Sequence, residues 1–222
     1  MKQDDVFVAG EGDAWFSRNR EALTGSAKID WPIQLVDMLD ARQEIRSVVE
    51  LGCANGWRLN RLSEMLQARF VGVDASREAV ADGKARFPAL TLLQGTLADV
   101  PVQEAFDLTI VNFVLHWVDR RSLARSVAEI DRVTGDGGFL IVGDFLPDNP
   151  QRRRYHHLPA EQVYTYKQDY AKIFESLGTY RTIARIAFDH DSPRLQLHSG
   201  AGAARGGCAV LKKSLVGYYQ ET

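Results

Sequence analysis

Long apolar runs are missing from this sequence: none approaches the roughly 18 residues that a bilayer-spanning helix needs. The opening Met1-Lys2-Gln3-Asp4-Asp5 lacks the basic and apolar regions of a secretory signal, so a soluble cytoplasmic protein is expected. Cysteine is scarce. Its two copies, Cys53 and Cys208, lie far apart and form no Cys-x-x-Cys pair, which argues against a disulfide framework and a zinc site and leaves two small core residues. Charge of one sign is also lacking: 27 basic residues stand against 29 acidic ones, for a net charge of −2. The broad positive field of a duplex-DNA binder is therefore absent, and Arg152-Arg153-Arg154 is only a short local cluster. Neither nucleic acid nor membrane is expected as a partner. No internal repeat is visible, and 45% hydrophobic with 25% charged residues is ordinary globular composition, enough to close a core over 222 residues.

What is present is an alternation of short apolar runs with helically spaced ones. Ser47 to Leu51 reads as a buried strand stopping at Gly52, after which Leu59, Leu62, Met65 and Leu66 recur at helical spacing. A second strand follows over Arg69 to Val73, a helix from Arg77 to about Phe87 stopped by Pro88, and a third strand over Leu90 to Gln94. Phe106 to Asn112 is a fourth strand. Leu123, Val127, Ile130 and Val133 mark one helix face, Gly135 to Gly138 a turn, and Phe139 to Val142 a fifth strand. Strands joined by helices imply a parallel sheet. Ahead of them, Pro32 starts a helix running to about Asp40, and the first 30 residues form a lid or cap. Beyond them, Pro147 to Pro159 reads as irregular, Glu161 to Leu177 as helix, and Tyr180 to Phe188 and Cys208 to Leu211 as last strands. Ser199 to Gly207 reads as a flexible Gly/Ala loop. The expected fold is one α/β domain with a doubly wound, seven-stranded, mostly parallel sheet. A helical cap or lid occupies residues 1–45, a cofactor-binding core 46–146, and an acceptor-side helix with the last strands 147–222.

The sharpest constellation is Glu50-Leu51-Gly52-Cys53-Ala54-Asn55-Gly56, where the first strand turns into a helix. Glycine there lets backbone approach a ligand closely. The second strand ends at Asp74, 18 residues after Gly56, within Gly72-Val73-Asp74-Ala75-Ser76. In a doubly wound sheet such an acid lies beside the glycine loop and can accept both hydroxyls of a ribose. A dinucleotide fingerprint has Gly-x-Gly-x-x-Gly. Here the spacing is Gly52-x-Ala54-x-Gly56 after Glu50, a carboxylate that would repel a diphosphate and attract an ammonium. These features favour S-adenosylmethionine over NAD.

Over roughly Val48 to Phe145 the sequence resembles the class I S-adenosylmethionine-dependent methyltransferases, with a Rossmann-like fold. Besides Glu50 to Gly56 and Asp74, the resemblance rests on Gly95-Thr96-Leu97-Ala98-Asp99-Val100-Pro101, Phe106 to Asn112, Leu115-His116-Trp117 and Gly137-Gly138-Phe139-Leu140. It implies that Glu50, Gly52, Cys53, Ala54 and Gly56 surround the methionine part of the cofactor. It also implies that Asp74, with Ala75 beside it, binds the ribose, that Thr96 and Leu97 flank the adenine, and that Asn112 lies near the methyl. S-adenosylhomocysteine would be the product. Ala54 stands where the family commonly has a glycine, and Thr96 where many members have an aspartate, so the adenine contact falls to Thr96 or to backbone.

On the acceptor side, methyl transfer to a hydroxyl or ammonium needs a base, and His116, Asp144, His156 and His157 are the candidates after the fourth and fifth strands. His116 reads equally as a packed residue at a helix start. Tyr155 to Leu158 and Val163 to Tyr170, rich in aromatic and hydrogen-bonding groups, suit a polar ring such as a sugar, or else cover the core. With Asp13 to Asn19 they are similar to methyltransferases of bacterial surface-polysaccharide and modified-sugar pathways. That similarity implies a lid containing Trp15, Phe16 and Arg18; the other reading is an amphipathic helix capping the sheet. No Pro-Pro-Tyr follows Asn112, which disfavours planar amide or adenine nitrogens, and no metal-ligand cluster is apparent, so metal-independent transfer is expected. The expected function is methyl transfer to an oxygen or nitrogen of a small polar metabolite, a sugar or sugar nucleotide foremost. The alternatives are a non-catalytic cofactor-binding scaffold and an NAD-dependent oxidoreductase. Oligomeric state is left open.

Overall fold

A computed structural model describes residues 3–24, 29–191, 195 and 205–219. The chain opens with helix α1 (Gln3–Val6), a wider π-helical stretch (Phe7–Glu11) broken at Gly10, and α2 (Gly12–Thr24). Helix α3 (Trp31–Asp37) starts where Asp30 accepts the Ile33 N–H at 3.1 Å, with Pro32 in its first turn. It stops short of the expected Asp40, and a 3₁₀ turn (Asp40–Glu44) leads into β1 (Ser47–Leu51). There follow α4 (Trp57–Ser63), β2 (Arg69–Asp74), α5 (Arg77–Arg86), β3 (Thr91–Gln94) and β4 (Phe106–Asn112). After a 3₁₀ turn (Leu115–Trp117) come α6 (Leu123–Val133), β5 (Thr134–Phe145), β6 (Gln151–Arg154) and β7 (Tyr164–Lys167). The described chain ends with α7 (Ala171–Glu175), β8 (Tyr180–Asp189) and β9 (Arg205–Lys213).

Seven strands form one sheet in the order β3-β2-β1-β4-β5-β9-β8, with only β9 antiparallel to its neighbours. This is the expected mostly parallel, doubly wound architecture. Strand alternation divides the core between the two faces. Val49, Leu51, Val71, Val73, Val111 and Leu140 pack against α6 and against Phe174 and Tyr180. Val48, Phe70, Leu108, Ile110 and Ile141 pack against α3 and α4. Each such buried Val, Leu or Ile contributes about 1.5–3 kcal/mol of transfer free energy. Cys53 and Cys208 are both free and buried on the second face, where desolvation pushes their thiols well up.

Two stretches beyond β5 depart from expectation. Glu161 to Leu177 is not a helix: Tyr164–Lys167 pairs antiparallel with Gln151–Arg154, a stretch read as irregular, and only Ala171–Glu175 is helical. The Tyr-Thr-Tyr run has strong strand propensity, which becomes decisive once a partner strand lies alongside. The expected Gly135–Gly138 turn falls inside β5 as an irregularity, where pairing with β4 jumps from Phe106–Thr134 to Leu108–Phe139 and Gly137 is left-handed at φ 73°. Gly206 and Gly207, expected in the loose loop, are buried in β9, where the missing side chains admit Phe188 and Leu146. Residues 199–204 of that loop lie outside the described residues. Among the described residues no helix is long and apolar enough to cross a membrane.

Candidate active site at the carboxyl edge of the sheet

The turn after β1 is built around left-handed backbone at Gly52 (φ 79°), Ala54 (φ 49°) and Gly56 (φ 77°). A side chain at Gly52 would overlap Val114. Ala54 has no such freedom, and its conformation costs roughly 1–3 kcal/mol. Its N–H donates to Asp74 Oδ2 at 2.8 Å, while the Ser76 N–H donates to Asp74 Oδ1 at 2.8 Å. The carboxylate at the end of β2 is thereby clamped with each oxygen holding one donor. Burial raises the Asp74 pKa above its ordinary value, against the pull of these two bonds.

A cavity of about 270 Å³ opens beside this clamp. From the sheet edge it is lined by Gly52, Ala54, Asp74, Ala75, Gly95, Thr96, Leu97 and Asn112, and from the N-terminal segment by Asp4, Phe7, Gly12, Trp15 and Leu23. Towards β4 and β8 its walls are Phe113, Trp117 and His190. Ser126 also lines it, and its buried hydroxyl has no hydrogen-bond partner. Eight expected site residues thus share one cavity: Trp15, Gly52, Ala54, Asp74, Ala75, Thr96, Leu97 and Asn112.

The remaining expected residues lie elsewhere. Alternation along β1 turns Glu50 to the face of α3 and α4, where it is fully buried and bonds Arg58, which also bonds Asp30 at 3.0 Å. Its charge is therefore compensated inside the core and does not face the cavity, so the repulsion argument against a diphosphate loses its basis. Cys53 packs in the core, and Gly56 sits at the start of α4 against Leu90 and Leu92. Phe16 is buried in a small cluster with Ala54 and Ala79. Arg18 bonds Glu11 and, at 2.7 Å, the Tyr155 hydroxyl. His116 and Asp144 are buried behind the wall: Asp144 Oδ2 accepts the His116 backbone N–H at 3.1 Å, and His116 Nδ1 lies 2.9 Å from Asp144 Oδ1 but off the line of a good hydrogen bond. His156 and His157 are exposed, with ring centroids 4.0 Å apart and tilted by 41°, beside Tyr155. Tyr155, Tyr164, Tyr166 and Tyr170, the basis for a sugar acceptor, do not line the cavity. Tyr164 lies under Arg152, Tyr166 and Tyr170 beside Arg120, and Tyr155 is buried against Glu11.

The N-terminal segment is tied over the cavity at several points. Gln3 donates to the Trp117 and Tyr164 carbonyls at 2.5 and 2.7 Å and accepts the Tyr164 N–H at 2.8 Å. Asp13 accepts the Ser76 hydroxyl at 2.7 Å and the Glu78 N–H at 3.0 Å, which docks α2 onto the start of α5. The Tyr155 hydroxyl donates to Glu11 at 2.7 Å. Tyr155→Phe removes that bond, is expected to weaken docking by about 1 kcal/mol, and should raise amide hydrogen exchange across residues 3–24 while β1 and β4 stay protected. Sequence reasoning missed Phe7, Phe113, Trp117 and His190 as lining residues, although His190 directly follows a strand that was recognised.

This sheet order, with its single antiparallel strand and its glycine loop and acid at the carboxyl edge, is the fold of the class I S-adenosylmethionine-dependent methyltransferases. Residues 48–138 match a family model described as a methyltransferase domain. The chain is 34% identical over 105 residues to trans-aconitate 2-methyltransferase of Acidovorax sp. strain JS42, covering 47% of this chain and 39% of that one. It is 27% identical over 126 residues to the malonyl-[acyl-carrier protein] O-methyltransferase of Halalkalibacterium halodurans, covering 52% and 46%. The chain spans about half or less of the length of the curated relatives it matches. In fold it resembles the 1,6-didemethyltoxoflavin-N1-methyltransferase of Burkholderia thailandensis, with a TM-score of 0.69, 13% identity, and coverage of 96% of this chain and 91% of that one.

Proposed function

We propose that this protein is an S-adenosylmethionine-dependent methyltransferase acting on an oxygen or nitrogen of a small molecule. The observation that carries the reading is the clamped Asp74 carboxylate at the cavity wall. Each of its oxygens accepts one backbone N–H and keeps a lone pair for a second donor, which suits the two neighbouring hydroxyls of a ribose. Thr96 and Leu97 flank the adenine, and the unpartnered Ser126 hydroxyl offers it a polar contact. Gly52 and Ala54 lie along the methionine part, with Asn112 towards the methyl. S-adenosylmethionine supplies a methyl on a sulfonium, so the chain's own work is to bind, align and exclude water. Trp15 and Phe7, held over the cavity by the docked N-terminal segment, exclude water.

For the acceptor we propose a ring with an apolar face, stacked on Trp117 and Phe7, whose centroids lie 5.2 Å apart. A sugar or sugar nucleotide belongs to that class, and the aromatic lining supports it in place of the tyrosines of β7. Calorimetric titration with S-adenosylmethionine, S-adenosylhomocysteine and NAD in parallel tests the cofactor reading. Binding of the first two alone is expected, and binding of NAD alone overturns it in favour of an oxidoreductase. Binding of both adenosyl compounds with no turnover across sugar, carboxylate and heterocycle acceptors would leave a cofactor-binding scaffold.

A further inference from the structure

Among the described residues His190 is the one imidazole lining the cavity. It follows the carboxyl end of β8, which runs parallel to β5 and so delivers its last residues to the same edge as Asp74 and Asn112. Its ring packs 4.6 Å from Phe113 and 4.9 Å from Phe145, centroid to centroid. Phe113 is held at φ 55°, a strained setting for an aromatic residue, by its N–H bond of 2.7 Å to the Gly143 carbonyl. That conformation turns the β4 exit so that Phe113 meets both Phe145 and His190.

We propose that His190 is the base that takes the proton an O–H or N–H acceptor loses on methylation. This rests on the methyltransferase reading. The acceptor's lone pair forms the new bond to the methyl carbon, the carbon–sulfur pair stays on sulfur as the neutral thioether, and the acceptor proton passes to the imidazole. From there it leaves to water, because part of His190 is solvent-exposed. The aromatic packing that desolvates the ring also lowers its pKa from the ordinary value, which keeps it neutral and able to accept at pH 7. The charged and titratable groups facing it are Asp191 in its own segment, His116 after β4, Asp144 on β5 and Lys167 on β7. The carboxylates favour the imidazolium, while Lys167 and His116 oppose it. None of these lines the cavity, so none competes for the acceptor proton.

The test is an NMR pH titration of the His190 ring, its signal assigned as the one lost in both His190→Gln and His190→Asn. The protein is saturated in turn with S-adenosylmethionine and S-adenosylhomocysteine. The two ligands share carboxylate and ammonium and differ by the sulfonium charge, so a ring at the methyl end must sense the difference. Its proton affinity is expected to be at least about threefold lower with the sulfonium bound. Equal midpoints with both ligands bound would overturn the assignment of His190 while leaving the cofactor reading intact. Failure of either ligand to bind would overturn the cofactor reading, and this proposal with it.

Discussion

Arg58→Met should destabilise the fold by about 3–5 kcal/mol, read as a lower urea midpoint, because it leaves buried carboxylate uncompensated. Arg58 bonds the fully buried Glu50 on one side and Asp30, the N-cap of α3, on the other. Its own charge is strengthened by that pairing against the cost of burial. The second Glu50 oxygen has no partner, and desolvation pushes the Glu50 pKa from 4.5 up to about 7 despite Arg58. The folded state therefore holds this proton more tightly than the unfolded chain does. Glu50's contribution is fully present below about pH 4.5 and is lost as the pH rises through about 7. Glu50→Gln should flatten that part of the stability profile. Combined with Arg58→Met it should recover much of the loss, since Asp30 is near enough to the surface to hydrate.

The core of this architecture is legible in sequence because each of its elements carries its own periodic signal. Ser47–Leu51 and Phe106–Asn112 are short, largely apolar runs with observed bounds equal to the expected ones, and α6 shows a single face at Leu123, Val127, Ile130 and Val133. Residues 147–177 misled for a physical reason. β6 is three arginines and a glutamine, with no apolar periodicity, and becomes a strand only through its ladder with β7. Tyr166 and Tyr170, four residues apart, fit a helical spacing until that partner is known.

At the site, residues in the loops after β1, β2 and β3 were readable because the chain passes directly from strand to cavity. Glu50 was misplaced by one step of alternation: Leu51 and Val49 face α6, so Glu50 must face α3 and α4. His190 was missed because strand direction is not written locally. Only the antiparallel insertion of β9 between β5 and β8 makes β8 run with the core strands and brings its end to the same edge. His116 and Asp144, which satisfied the rule of strand ends, are shielded by Phe113, Phe145 and Trp117. Proximity to the edge was correct for both, but which way they face depends on packing between distant segments.

Asp74→Ala should weaken S-adenosylhomocysteine binding by about 10- to 150-fold, since a hydrogen bond to a charged acceptor contributes roughly 1.5–3 kcal/mol and each 1.4 kcal/mol is tenfold. Some of that loss will come from the Ala54 turn, whose left-handed conformation is held by the same carboxylate. Asp74→Asn separates the two effects. Its amide oxygen can still accept the Ala54 N–H, so the turn survives, while the charge and one acceptor site are gone. A 2′,3′-dideoxy analogue of S-adenosylhomocysteine completes the cycle: if Asp74 meets the ribose hydroxyls, removing both partners should cost little more than removing one. Fully additive losses would place the ribose elsewhere. The raised pKa of Asp74 adds a second signature. Wild-type affinity should fall as the pH is lowered and the carboxylate takes up a proton and loses an acceptor, and Asp74→Asn should show no such fall.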